Sequence, residues 1–230
     1  IAEPNSAIRL IANITAEQTF AVIKNKESFA IDLNGFSIKG ESKTIGDFIT
    51  VGDNTTLLIV NTKFKDNASS IMVNSEADGT SALCLNGENA ALHILDGVEI
   101  VMGTNGYYAW NSNYAYCIKV VKGKALNVNG ADIYNWMYWG RGISFSNYAN
   151  GAFDDFTFQV NNDAEITAKV ACMDFSFTNT LPGKSYVQDC KLSYETKIPN
   201  FDDGRDAAAK KDFMAIKAVD DDFVLVDVLS

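Results

Sequence analysis

The aromatic residues of this 230-residue chain are the side chains best suited to chemistry, because they are concentrated in one part of it. All three Trp residues and six of the nine Tyr residues lie between positions 107 and 139, mixed with Asn, Ser and Gly. Flat rings with polar edges suit stacking on sugars or anchoring a protein partner. The residues predicted to bind such a ligand are Tyr107, Tyr108, Trp110, Asn111, Trp136, Tyr138, Trp139 and Arg141. The alternative is that the rings pack on one another and hold long turns against the protein.

The elements that must position these rings are repeated along the chain. An apolar run, an Asn or Asp and a second apolar run occur at residues 31–38, 57–64, 92–100 and 126–133, with weaker copies at 158–162 and 186–189. The marker residues of these copies are 27, 35, 33, 33 and 27 positions apart; they are Asn34, Asn61, Asp96, Asn129, Asn162 and Asp189. Self-similarity at such a period predicts stacked repeats. Trp110 and Trp136 are 26 positions apart, about one period, so both aromatic segments should emerge on one side.

Each repeat is predicted to contain about three short strands. Its apolar runs are rich in β-branched and aromatic residues, and the Asn or Asp marker tolerates the left-handed backbone of a sharp corner. Further strand-like segments begin twelve residues before three of the markers, at Ile49, Cys84 and Cys117. A β-hairpin is the competing interpretation, since Asn-Gly is a strong hairpin signal. The long spacing and the additional strand favour coils that stack at about 4.8 Å and share one core.

Residues 31–40 and 54–62 resemble the coils of secreted right-handed parallel β-helix proteins of the pectin-lyase-like superfamily, in particular surface proteins of gut bacteria. The likeness covers about residues 8–135 and weakens towards residue 195. It implies that the Asn markers stack at one corner of the helix, between its second and third sheets. The expected fold is all-β, a single-stranded right-handed parallel β-helix of about six to seven coils with long turn insertions and a short C-terminal cap.

The length suits one domain over residues 1–230. We expect a first coil in 1–30, the remaining coils in 31–195 and the cap in 196–230. Within the cap, residues 202–212 have an acidic start, an Ala centre and a basic end, which is typical of a short helix. Residues 213–216 and 223–228 are predicted to be strands.

Catalysis on this fold would need motifs that the chain does not carry in full. Polygalacturonase-like enzymes use two carboxylates, one to activate water and one to protonate the leaving oxygen. Asp154 and Asp155 are the weak candidates here. The only histidine, His93, is not in a Gly-His-Gly motif, and Arg-x-Lys is missing. We therefore lean towards a protein that is not an enzyme, with a polysaccharide lyase or glycoside hydrolase as the alternative.

No metal or other cofactor is expected, although two acidic groups could hold Ca²⁺ through carboxylate oxygens. These groups are Asp202 with Asp203 and the run 220–222, and we interpret both as solvated turns. The four cysteines, Cys84, Cys117, Cys172 and Cys190, match no metal-binding spacing. Cys84 and Cys117 occupy matching positions of the repeat, so we expect them side by side as buried free thiols, with a disulfide as the alternative.

The net charge of −10 with only three Arg residues argues against nucleic acid and anionic membrane surfaces as partners. No apolar run approaches eighteen residues, so no membrane span is expected. The chain begins with Ile, which suggests a removed signal peptide and a secreted or cell-surface protein. The function expected from the sequence is an adhesin-like module that binds a carbohydrate or a protein through its aromatic turns. A structural stalk of a larger surface protein is a further alternative.

Overall fold

The computed structural model describes residues 6–63, 69–103, 114–146, 153, 155–174, 184–194, 216–219 and 222–225. All regular elements in these residues are β-strands that form three sheets, and the first twenty strands along the chain stack in parallel within them. The predicted parallel β-helix is therefore confirmed. The right-handed sense of its coils stays a prediction. No helix in the described residues is long and apolar enough to cross a membrane.

Each sheet takes one strand from each successive coil. Sheet A contains β1 (Ser6–Arg9), β4 (Phe29–Asp32), β7 (Thr56–Val60), β10 (Ala91–Leu95), β13 (Ala125–Asn129), β16 (Thr157–Asn161) and β19 (Lys184–Val187). Sheet B contains β2 (Ile14–Ala16), β5 (Ile38–Glu41), β8 (Ser69–Asn74), β11 (Val98–Met102), β14 (Asp132–Asn135), β17 (Ala164–Ala168) and β20 (Cys190–Tyr194). Sheet C contains β3 (Ala21–Ile23), β6 (Asp47–Val51), β9 (Thr80–Asn86), β12 (Ala115–Lys122), β15 (Gly140–Phe145) and β18 (Ala171–Asp174). Strands β1 to β18 thus form six sets of three, and β19 and β20 follow them.

The C-terminal strands close sheet A. Strand β22 (Asp222–Leu225) pairs antiparallel with β19, and β21 (Ile216–Val219) pairs antiparallel with β22. The predicted strand at 223–228 overlaps β22, whereas the one predicted at 213–216 shares only residue 216 with β21. The predicted helix at 202–212 lies outside the described residues.

The core consists of rows of apolar side chains stacked from coil to coil. On sheet A, one inward row is Leu57, Leu92, Leu126 and Phe158, and a second is Ile59, Ile94, Val128 and Val160, all fully buried. Burying one such side chain contributes about 1.5–3 kcal/mol. Near the C-terminal end the Phe145 ring makes edge-to-face contacts with Phe153, Phe156 and Phe158, which fill the core with aromatic area.

Five of the six marker residues lie in the turn from sheet A to sheet B, and Asn129 is the last residue of β13, directly before that turn. Continued from the strand register, Asn61, Asp96, Asn162 and Asp189 stand in one line, with Gly130 between Asp96 and Asn162. Asn34 lies one position after this line and Asn129 one position before it. The marker amides still bridge coils: Asn61 Oδ1 accepts from the Gly35 N–H at 2.9 Å, and Asn61 Nδ2 donates to the Gly97 carbonyl at 3.0 Å.

The expected pairing of Cys84 with Cys117 is wrong, because Cys84 lies opposite Lys119. Counting back from Asn129 misplaces β12 by two residues. One arises because Asn129 precedes the corner line. The other arises because the turn from β12 to β13 is two residues shorter than the turn from β9 to β10, and the extra residue at the irregularity between Val120 and Lys122 offsets only one of them. All four cysteines are free thiols. Burial raises the pKa of Cys84 to about 12, so its thiol stays protonated at neutral pH.

Candidate functional site

The turn from sheet B to sheet C carries both aromatic segments. We call it the B–C corner; it comprises residues 42–46, 75–79, 103, 114, 136–139 and 169–170 in successive coils. The first segment lies between Gly103 and Tyr114, and both of these residues are at this corner, next to the second segment. Trp136 N–H donates to the Met102 carbonyl at 2.9 Å, and Gly79 N–H donates to the Tyr114 carbonyl at 2.9 Å. Tyr107, Tyr108, Trp110 and Asn111 lie outside the described residues.

Five aromatic residues of this corner lie in two groups of touching rings, which we call the aromatic corner: Tyr114, Tyr134, Trp136, Tyr138 and Trp139. The Trp139 ring meets Tyr114 at 6.3 Å and Tyr138 at 5.6 Å between centroids, edge to face in both cases. The Tyr134 and Trp136 rings are stacked at 5.8 Å with an angle of 6° between their planes. The side chains of all five are partly buried. The structure therefore brings Tyr138 and Trp139 together with Tyr114 and places Trp136 in a separate stack with Tyr134, and the ligand-binding role of these residues stays a prediction.

Arg141 lies near the start of β15 in sheet C, directly after the B–C corner, and supports the aromatic corner from there. Its guanidinium lies 4.6 Å from the centre of the Tyr114 ring, a cation–π distance. Its Nε forms an ion pair with Asp174 Oδ2, and its Nη1 donates to the Trp139 carbonyl at 3.3 Å. Arg141 is 8% exposed and Asp174 is fully buried. Arg141 is thus committed to the protein, and the contribution of Asp174, which lies in the next coil, was missed by the sequence analysis.

Asn135 fixes the backbone turn that presents Trp136 and Trp139. Its Nδ2 donates to the Ala115 carbonyl at 3.0 Å and to the Arg141 carbonyl at 2.8 Å, and its Oδ1 accepts from Met137 N–H at 3.1 Å. A Cβ at Gly140 would lie 2.1 Å from Asn135 Oδ1, so the close approach requires glycine there. The sequence signal for this role was the position of Asn135 five residues before Gly140, with the aromatic turn between them. The repeat pattern did not point to it.

A polar groove continues the B–C corner towards the first coils. It has a volume of about 260 Å³ and is lined by Glu41, Ser42, Lys43, Asn74, Ser75, Glu76 and Met137. Lys43 Nζ and Glu76 Oε1 form an ion pair of 3.2 Å across neighbouring coils. Met137, which follows Trp136, connects the groove with the aromatic corner. Hydroxyl, amide and charged groups therefore lie on the same corner of the β-helix as the rings.

Another groove, at the turn from sheet A to sheet B, is acidic. It has a volume of about 310 Å³ and is lined by Asp96, Gly97, Glu99, Gly130, Asp132, Asn162 and Asp163. Glu99 and Asp132 are register neighbours on adjacent strands. Burial, and then the charge of Asp132, raise the pKa of Glu99. Burial also raises the pKa of Asp132, with the charges of Glu165 and Asp96 adding to the effect.

The other residues considered for chemistry lie apart from the aromatic corner. Asp155 is exposed in the turn before β16, while Asp154 lies outside the described residues. His93 is partly buried on β10, and burial lowers its pKa. Of the acidic groups considered for Ca²⁺, the structure describes only Asp222, in β22. In the described part of the chain no three His, Cys, Asp or Glu residues are arranged to hold a metal ion.

Comparisons of the chain with protein-family models, with curated proteins and with solved structures find no match of any of the three kinds.

Proposed function

We propose that the chain is a non-catalytic binding module, adhesin-like and secreted or exposed on a cell surface, that binds carbohydrate at the aromatic corner. The observation that carries this proposal is the position of partly buried aromatic rings beside a polar groove on one corner of the rod. Sugar rings present apolar faces and hydroxyl edges, so they need flat apolar contacts and hydrogen-bonding groups close together. The extracellular setting rests on the resemblance to secreted β-helix proteins.

Rigid attachment of the rings supports the proposal. Trp136 lies in a turn whose backbone is held by Asn135 and by the Met102 carbonyl. Its ring is stacked on Tyr134, and Lys169 Nζ lies 5.8 Å from the ring centre. Side chains that are already ordered lose little conformational entropy on binding, which favours affinity. In this proposal Trp136 and Trp139 contact the sugar, and Arg141, held by Asp174, positions the rings.

The test measures ligand binding and folding stability on the same variants. Wild type and Trp136→Ala are applied to a glycan array, and the binding constant for the strongest hit is measured in solution. Removal of a stacking Trp should cost ~1–3 kcal/mol of binding free energy, which raises the dissociation constant about 5- to 150-fold. Tyr186→Ala is the matched control, since Tyr186 is 54% exposed on β19 of sheet A, away from the corner.

The other functions predict different results. If the rings only hold the turn in place, Trp136→Ala should lower stability by ~3–5 kcal/mol, as a core truncation does, and the stalk interpretation is then preferred. If a protein is the partner, the array stays empty and a protein ligand is lost with Trp136→Ala. Release of reducing ends or unsaturated products from a polysaccharide, abolished by Asp154→Ala with Asp155→Ala, would establish the enzymatic alternative.

A further inference from the structure

The stacked rings of Tyr134 and Trp136 belong to a wider apolar strip on the outer face of sheet B. Tyr134 is the register neighbour of Val101 in the preceding coil, and Val101 is the neighbour of Met72 in the coil before that. Val101 is 5% exposed, while Met72 and both rings are partly buried. Since alternate residues of a strand share one face, Trp136 lies on the same face as Tyr134. The rings therefore sit at one end of a strip that crosses three neighbouring strands.

A row of carboxylates, which we call the acidic row, runs beside this strip on the same face. Glu99, Asp132 and Glu165 stand at matching positions of β11, β14 and β17, and Asp132 is two residues before Tyr134. Two residues span about 6.6 Å along a strand, and neighbouring strands are about 4.8 Å apart. The Tyr134 hydroxyl responds to this closeness: burial, and then the charges of Asp132, Glu165 and Glu99, raise its pKa to about 12.

The charge of the acidic row is not balanced within the described part of the chain. Glu165 pairs with Lys191 at 3.0 Å, but neither Glu99 nor Asp132 forms an ion pair with a described residue. Like charges on neighbouring strands destabilise a sheet. The fold thus keeps two half-buried, unpaired carboxylates side by side, next to an aromatic stack. Such an arrangement costs folding stability, and a cation bound between the carboxylates would remove that cost.

The surroundings of the acidic row have room for a cationic group. Glu99 and Asp132 line the acidic groove of about 310 Å³, to which Asp96 and Asp163 add further negative charge. The aromatic stack itself accepts an ammonium group, since Lys169 Nζ lies 5.8 Å from the centre of the Trp136 ring. Flat rings and unpaired carboxylates on one face are complementary to a ligand that combines an apolar ring face with a positive charge.

We propose that the ligand of the aromatic corner is a carbohydrate with unacetylated amino sugars, and that Glu99 and Asp132 select it. This inference rests on the proposed function, because it names the class of sugar bound at the same rings. The sugar contacts Tyr134 and Trp136, and its ammonium group donates hydrogen bonds to the two carboxylates. A neutral or N-acetylated sugar would partly exclude water from the carboxylates without pairing them, and should therefore bind more weakly.

The experiment compares two probes that differ only in the charged group. These are the β-1,4-linked tetramers of glucosamine and of N-acetylglucosamine, titrated calorimetrically into the 230-residue chain at mildly acidic pH, where the amines are protonated. Wild type should bind the glucosamine tetramer about tenfold or more tightly than the acetylated one. Added salt should reduce this preference, because the selecting interaction is electrostatic.

The variant Glu99→Gln with Asp132→Asn tests the role of the acidic row. It should bind both tetramers equally, and it should fold, because an Asn oxygen can still accept the Glu165 N–H that Asp132 Oδ1 accepts at 3.3 Å. Circular dichroism verifies the fold. Asp53→Asn with Glu88→Gln is the matched control, since it removes the same two charges from exposed turns between sheets C and A and should keep the preference.

Trp136→Ala separates this inference from the proposed function, since it should weaken binding of both tetramers. Equal affinity of wild type for the two tetramers, or a preference that the double amide variant retains, overturns the inference. If neither tetramer binds but a neutral glycan does and is lost with Trp136→Ala, the carbohydrate-binding function stands and the selection of amino sugars is wrong. If no glycan binds and a lysine-rich peptide binds through Glu99 and Asp132, both are wrong.

Discussion

Asp174, fully buried in β18, forms an ion pair with Arg141 of β15 in the preceding coil. This contact joins the end of sheet C to the aromatic corner, because the Arg141 guanidinium also lies against the Tyr114 ring at 4.6 Å. The rings proposed to bind ligand are thus positioned partly by a carboxylate on an adjacent strand, 33 residues further along the chain.

Replacing Asp174 by Ala should destabilise the protein by about 3–5 kcal/mol, because it leaves the buried Arg141 charge without its partner. Urea unfolding followed by circular dichroism measures the change. Lys191→Ala provides the control, since it breaks an exposed ion pair with Glu165 and should cost less than about 1 kcal/mol. Equal effects of the two substitutions would contradict a supporting role for Asp174.

Replacing Asn61 by Leu should destabilise the protein by about 1–3 kcal/mol. Asn61 is 6% exposed and bridges neighbouring coils through the Gly35 N–H and the Gly97 carbonyl, both of which Leu would leave without this partner. Asn61→Asp keeps the acceptor for Gly35 and should cost less. The measurement is again the urea midpoint, and a Leu variant as stable as wild type would show that the corner amide is dispensable.

Stability should depend on the ionisation of Glu99 and Asp132. The pKa of each carboxyl is higher in the folded protein than its ordinary value, so folding disfavours the charged form. The two groups therefore destabilise the fold at neutral pH, and this penalty disappears as the pH falls through their raised pKa values. Glu99→Gln removes one charge of the pair.

We expect Glu99→Gln to be more stable than wild type at pH 7 and to lose that advantage as the pH is lowered into the acid range. Urea midpoints measured for both proteins from neutral to mildly acidic pH give the comparison. Glu88→Gln is a suitable control, because Glu88 lies in the turn between β9 and β10 and its side chain is 71% exposed. A variant that is less stable than wild type at pH 7 would contradict the sign of the effect.

The polar groove should contribute to ligand binding separately from the rings. Lys43→Ala with Glu76→Ala removes an ion pair from the groove lining and should weaken carbohydrate binding while changing stability by less than about 1 kcal/mol. Lys122→Ala with Glu88→Ala removes another exposed pair between neighbouring coils, away from the groove. If both double variants bind as wild type does, the ligand contacts only the aromatic corner.

The architecture could be predicted from the sequence because its signals are local. Alternating apolar residues and an Asn or Asp at one corner of each coil recur at a readable period. The structure places five of the six markers in the turn from sheet A to sheet B and Asn129 at the end of the strand before it. The two aromatic segments were predicted to share one side of the rod. Their described anchoring residues, Gly103, Tyr114 and Trp136, do lie at one corner.

Register between coils was decided by the tertiary structure. A turn between β12 and β13 that is two residues shorter than its counterpart in the preceding coil, one extra residue at Val120–Lys122 that offsets half of this, and a marker displaced by one position, Asn129, together bring Lys119 rather than Cys117 opposite Cys84. The same register places Asp174 against Arg141 and groups Tyr114 with Trp139. By itself the sequence determined the repeat and its corners, since a backbone corner depends on a few adjacent residues. Contacts between coils depend on the summed length of every turn between them, which only the folded chain establishes.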